Sequence, residues 1–186
     1  MDKTKCMAAL FDFDGVVVDT EPQYTIFWDE QGRKYLSKED FGRSIKGQTL
    51  GQIFGGHFSG MDEIQQQIVS DLNEYEKHMK FDYMPGVVEF MKSLRANGIK
   101  LAIVTSSNDL KMANVYREHP ELKTLVDRIL TSDSFTRSKP DPECFLMGAK
   151  VFDTTVDNCV VFEDSFHGLE AARRASMKIV GLCTTN

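Results

Sequence analysis

Residues 6–15 read Cys6-Met7-Ala8-Ala9-Leu10-Phe11-Asp12-Phe13-Asp14-Gly15, an apolar run that stops abruptly at a cluster of acids and glycine. A continuous apolar stretch of that length, Cys6 to Phe11, predicts a short buried strand. Two carboxylates one residue apart then stand at its end, where unpaired like charges are costly unless a cation sits between them. An Asp-x-Asp pair alone is more often a solvated turn than a site. The rest of the chain has to decide.

Downstream of Pro85-Gly86, strands and helices alternate. A helix is expected from Val87 to Asn97, ending at Gly98, a suitable C-terminal residue. Strands are expected at Ile99–Val104, Arg128–Thr131, Asn158–Phe162 and Lys178–Leu182. Helices are expected at Asp109–Glu118, Pro142–Phe152 and Phe166–Ala175. This order predicts an α/β fold, a parallel sheet covered by helices on both faces. In such sheets reactive residues gather at the carboxyl ends of the strands.

Between Pro22 and about Lys80 helical periodicity dominates instead. Ile26, Phe27 and Trp28 lie on a helix expected to end near Gly32. Ser37 with Asp40 three residues later resembles a helix start. Gly55-Gly56 should break the chain. Met61 to Lys80 reads as an amphipathic helix, with Ile64, Ile68, Leu72 and Tyr75 at helical spacing. A compact helical insertion is the economical description.

Four clusters follow four of the expected strands. They are Asp12-Phe13-Asp14-Gly15, Thr105-Ser106-Ser107, Lys139-Pro140 and Glu163-Asp164-Ser165. The second pair of acids overturns the solvated-turn reading. Oxygen donors without nearby His or Cys suit a hard ion, and with phosphate chemistry Mg²⁺. Asp164 can complete a cage with Asp12 and Asp14. The hydroxyls of Thr105 and Ser106, with the N–H groups of the following helix start, suit phosphate oxygens. Simple helix capping by Ser107 or Asn108 is the bland alternative, and both roles can coexist. Lys139 alone would be a solvated loop residue; beside the acids it offsets the charge of phosphate and Asp12. Asp12 can then attack phosphorus, and Asp14 can protonate the leaving oxygen and later take a proton from water.

Bulk properties agree. The 186 residues are 41% hydrophobic and 27% charged, as in ordinary globular proteins. A net charge of -6 argues against nucleic acid and anionic lipid as partners, which require a basic face. The four cysteines, Cys6, Cys144, Cys159 and Cys183, form no metal-like spacing and read as reduced thiols. No apolar stretch approaches a signal peptide's core or a membrane span. A cytoplasmic monomer acting on a small phosphorylated metabolite is expected.

The four motifs, in this order, resemble the haloacid dehalogenase superfamily, especially its β-phosphoglucomutase-like phosphatases. Further matching residues are Asp19-Thr20-Glu21, Asp141-Pro142 and Gly168. The resemblance implies a Rossmann-like core, residues 1–17 and 83–186, with an inserted helical cap, residues 18–82. It implies Asp12 as nucleophile and Asp14 as acid/base, with Thr105 and Lys139 holding the phosphate. Metal contacts would come from the Asp12 carboxylate, the Asp14 backbone carbonyl and Asp164, with Glu163 as a ligand or a partner behind them. Lys46 and Gln48 of the cap, with Thr49, are candidate substrate contacts. Tyr24 and Trp28 could line the pocket, although Trp28 is more simply explained as cap core.

Two departures separate this chain from the mutases. Tyr24 stands where they have a cap-hinge histidine, and Leu50 follows Lys46-Gly47-Gln48-Thr49 where they have an arginine. Leucine cannot grip the distal phosphate of a bisphosphate. A hydrolase is therefore preferred to a hexose-phosphate mutase, and a phosphorylated signalling receiver ranks behind both. Similar proteins also continue through another strand and closing helix beyond the last expected strand, so a less stable core is expected here.

Overall fold

The central strand is the one that the opening stretch predicts. In the computed structural model, which describes residues 7–46 and 48–184, β1 spans Ala8–Phe11 and is buried throughout. Cys6 and Gly47 lie outside the described residues. Met1–Asp19 with Phe81–Asn186 makes one compact unit, and Thr20–Lys80 makes another.

In the second unit, α1 (Glu21–Gln31) runs into a π-helical turn at Gly32–Leu36, followed by α2 (Phe41–Ser44), α3 (Leu50–His57) and α4 (Asp62–Glu76). Phe27, Trp28, Phe41, Ile53, Phe58 and Ile68 meet in its core, so Trp28 is a packing residue. Two expectations fail here. Ser37 and Asp40 both adopt left-handed backbone, with φ of 52° and 51°, and Ser37 closes a helical turn instead of opening one. Gly55-Gly56 does not break the chain but lies inside α3. A reciprocal cap starts that helix, in which Thr49 Oγ1 accepts from the Gln52 N–H and Gln52 Oε1 accepts from the Thr49 N–H. Burial of Ile53 and Phe58 offsets the cost of about 1 kcal/mol per glycine.

The first unit continues with α5 (Val87–Ala96), β2 (Lys100–Val104), α6 (Asp109–Glu118), α7 (Leu122–Leu125) and β3 (Arg128–Leu130). It closes with α8 (Glu143–Lys150), β4 (Cys159–Glu163), α9 (Phe166–Arg174) and β5 (Lys178–Gly181). The five strands are all parallel in the order β3-β2-β1-β4-β5. From β1 the chain steps outward through β2 to β3, then crosses back to β4 on the other side of β1 and on to β5. The carboxyl end of β1 is therefore the switch point at which such sheets open a crevice.

Register sets what meets there. Phe11 aligns with Ile103 and with Phe162, whose ring stacks on that of Phe11 at 4.5 Å. The Asp12 N–H still reaches the Phe162 carbonyl at 2.9 Å. Asp12 is thus the last residue the ladder holds, and Glu163 ends the strand beside it. Beneath them Leu10, Ala102, Val104, Phe145, Val161 and Ala171 form the dry core.

Candidate active site

Asp12 lies where sheet order ends and is only 8% exposed. Lys139 comes from the loop between β3 and α8 and is still further withdrawn from water, at 4%. Its Nζ donates to Asp12 Oδ1 at 2.6 Å, to Glu163 Oε1 at 2.7 Å and to the Val104 carbonyl at 3.3 Å. A buried ammonium is tolerable only with such compensation. Burial opposes its charge, but the Asp12 and Glu163 carboxylates more than offset this and hold Lys139 above the ordinary lysine value.

Glu163, fully buried, spends both oxygens: Oε1 on Lys139 and Oε2 on the Ser165 N–H at 2.6 Å. Gly168, in the first turn of α9, makes this possible. A Cβ there would stand 1.6 Å from Glu163 Oε1. The Ser165 hydroxyl caps α9 by accepting from the Gly168 N–H at 3.1 Å.

Carboxylate oxygens of Asp12, Glu163 and Asp164 all lie within 4.8 Å of one another. Burial pushes the Asp12 carboxyl well above the usual carboxylate range. Lys139 pulls it back, while Glu163 and Asp164 add to the rise. Three acids stand this close together, two of them bonded to Lys139, and an all-oxygen donor set of this kind fits a hard divalent ion. Asp14 does not join this side-chain group; it faces a different partner.

The Asp14 loop turns back at once. The Val17 and Val18 N–H groups both donate to the Phe13 carbonyl, at 2.8 and 3.0 Å. Gly15, at φ +76°, takes the left-handed backbone this turn requires. Asp14 is half-buried, and Lys111 Nζ donates to both its oxygens, at 2.6 and 2.7 Å. Ser107 Oγ adds a third bond at 2.9 Å to Oδ2. Lys111 was not among the residues singled out from the sequence. At the third position of a helix it reads as one more solvated lysine, and nothing local marks it.

Thr105 is buried at the end of β2 and its Oγ1 accepts from the Ser107 N–H at 3.0 Å, whereas Ser106 is exposed. Asn108 caps α6, accepting from the Lys111 N–H at 2.9 Å. Of the two capping candidates, Asn108 therefore takes that role and Ser107 turns to Asp14. In the helical unit, Lys46 Nζ stands 3.8 Å from Glu21 Oε2, and the Gln48 N–H donates to the Ile45 carbonyl at 3.0 Å. The Tyr24 hydroxyl donates to Glu76 at 2.8 Å. Cys144 and Cys159 are buried, and burial pushes the Cys144 thiol up to about 11. Among the described residues no helix is long and apolar enough to cross a membrane.

Acids, a buried lysine and hydroxyls thus gather at the carboxyl ends of parallel strands in a Rossmann-like sheet. The chain belongs to the haloacid dehalogenase-like hydrolase family, whose model matches residues 9–182. Its enzyme class is that of phosphoric monoester hydrolases. It is 29% identical over 180 residues to the phosphorylated carbohydrates phosphatase of Thermotoga maritima, covering 92% of this chain and 82% of that one. It is 25% identical to the β-phosphoglucomutase of Bacillus subtilis, covering 94% and 81%. A hydrolase crystal structure from Pseudomonas syringae superposes with a TM-score of 0.81 at 26% identity, covering 96% and 85%.

Proposed function

We propose that this chain is a Mg²⁺-dependent phosphatase of a small phosphorylated metabolite, a sugar phosphate among the candidates, working through a phosphoryl group carried on Asp12. The observation that carries the reading is Lys139, bound to Asp12 and Glu163 inside an acidic group at the end of the central strand. The name of the Thermotoga relative supports the substrate class.

Asp12 and Asp164, with the Asp14 backbone carbonyl, would hold the ion, and Glu163 would stand behind them. Bound there, Mg²⁺ supplies positive charge that lessens the repulsion between a carboxylate and a phosphate. An Asp12 oxygen attacks phosphorus, and the bond from phosphorus to the leaving oxygen breaks as Asp14 delivers its proton. Water then attacks the phosphoryl group and gives a proton to Asp14. Inorganic phosphate leaves, and the Asp12 carboxylate is restored. Thr105, Ser106 and Lys139 serve the phosphate oxygens. Lys46 and Gln48 are the proposed substrate contacts of the helical unit, which takes the part of the cap.

Asp12→Asn should abolish Mg²⁺-dependent phosphate release from an aryl phosphate. Undiminished turnover would remove Asp12 from the role. A hexose-phosphate mutase is the second reading, favoured by the Bacillus relative's name. Leu50 opens α3 where a guanidinium would be needed, which favours the hydrolase.

A further inference from the structure

We propose that Lys111 is the positioning residue for Asp14, aiming its carboxylate for proton transfer to and from the substrate oxygen. The inference rests on the phosphatase reading above and adds a residue to it.

Its position is unusual for a lysine. Near the N-terminus of α6 the helix dipole disfavours a cation, and lysine is rarely withdrawn from water without a partner. Here the Lys111 side chain is only 4% exposed and points both nearest hydrogens at Asp14, whose side chain keeps 20%. The first turn of α6 is itself anchored. Asn108 caps it through the Lys111 N–H, the Asp109 N–H donates to Asp133 at 2.8 Å, and Thr131 donates to the Asp109 carboxylate at 2.8 Å. Lys111 therefore projects from a fixed point, and Ser107 from the same segment holds Oδ2 as well.

A proton donor works only if its oxygen stands within hydrogen-bond reach of the leaving atom. Asp14 sits on a tight turn, and its carboxylate is free to rotate about χ1 and χ2 unless something holds it. The Lys111 ammonium and the Ser107 hydroxyl both do so. Lys111 touches neither phosphorus nor the leaving oxygen in this scheme; it acts through Asp14.

A series of aryl phosphates, from phenyl to dinitrophenyl phosphate, separates this role from a merely structural one. Dinitrophenolate departs without a proton, whereas phenolate gains much from one. For Lys111→Met we expect kcat/KM on phenyl phosphate to fall by about 10- to 100-fold, part of the usual acid–base contribution. On dinitrophenyl phosphate it should fall by less than about threefold. Lys111→Arg, which keeps two donors, should recover most of the loss. Equal losses on both esters, no loss, or a gain on phenyl phosphate would overturn the proposal. So would failure of both Lys111→Met and Lys111→Gln to fold, which would make the residue structural. Absence of Mg²⁺-dependent release from any ester by the wild-type chain would sink the phosphatase reading itself.

Discussion

Asp12 and Asp14 stand one residue apart, each gripped by a lysine, yet the two ion pairs live in different surroundings. Lys139 and Asp12 meet at 2.6 Å with side chains 5% and 12% exposed. Lys111 and Asp14 meet at the same 2.6 Å, but Asp14 retains 20% of its side-chain surface. The first pair is extended into the sheet by Glu163 and the Val104 carbonyl. The second lies on a loop, where the Ser107 hydroxyl also holds Asp14. Charge in the drier place has nowhere to go when its partner is lost, whereas the carboxylate in the wetter place can turn to water. One lysine should therefore matter to folding and chemistry together, the other chiefly to chemistry.

The largest effect that tests this contrast is expected from Lys139→Met. Without divalent ions it removes the cation bonded to Asp12 and Glu163, and removal of one partner from a buried pair costs about 3–5 kcal/mol. Urea unfolding measures it directly. A loss below about 1 kcal/mol, the range of exposed pairs, would show that the site is as wet as the surface.

Next in size is the response to metal. At about a hundredfold excess over Kd, a ligand that binds only the folded chain adds about 2.7 kcal/mol. The melting temperature should rise with Mg²⁺ and return with a chelator. Its pH dependence follows from Asp12, whose carboxyl lies above the usual range mainly through burial. A carboxyl that holds its proton more tightly folded than unfolded contributes stability below its unfolded value, about pH 4. That contribution disappears as the pH rises toward the folded value. Metal-free stability should therefore decline through that span, and the gain from Mg²⁺ should grow as the ion takes the proton's place. A gain that is flat with pH would detach the ion from Asp12.

The smallest effect on stability is expected from Lys111→Met, about 1–2 kcal/mol, the lower part of the range for a lost partner at a partly wet group. Equal destabilisation by the two lysine variants would erase the comparison.

The same contrast explains what could be read in advance. Asp12, Lys139 and Asp164 were legible because each breaks its local pattern: acids end an apolar strand, and a lysine precedes a proline between elements. Glu163 was visible as an acid, but its place as a second partner of Lys139 was not. Lys111 broke no pattern, since a lysine at the start of a helix is ordinary until the acid facing it is known. In the helical unit, Gly55-Gly56 misled for the opposite reason. The glycine signal is local, and a reciprocal cap with burial of Ile53 and Phe58 outweighed it.

By itself the sequence determined the strand-and-helix alternation and the order of the motifs. These are encoded in residue type and short-range spacing. The sequence already set Lys139 against the charge of Asp12; only the tertiary structure showed that Glu163 shares that lysine and that Lys111 faces Asp14. Lys139 and Asp12 are 127 positions apart, and Lys111 and Asp14 are 97. No local propensity reaches across such a distance; parallel register about β1, set by packing of the sheet as a whole, brings the partners together.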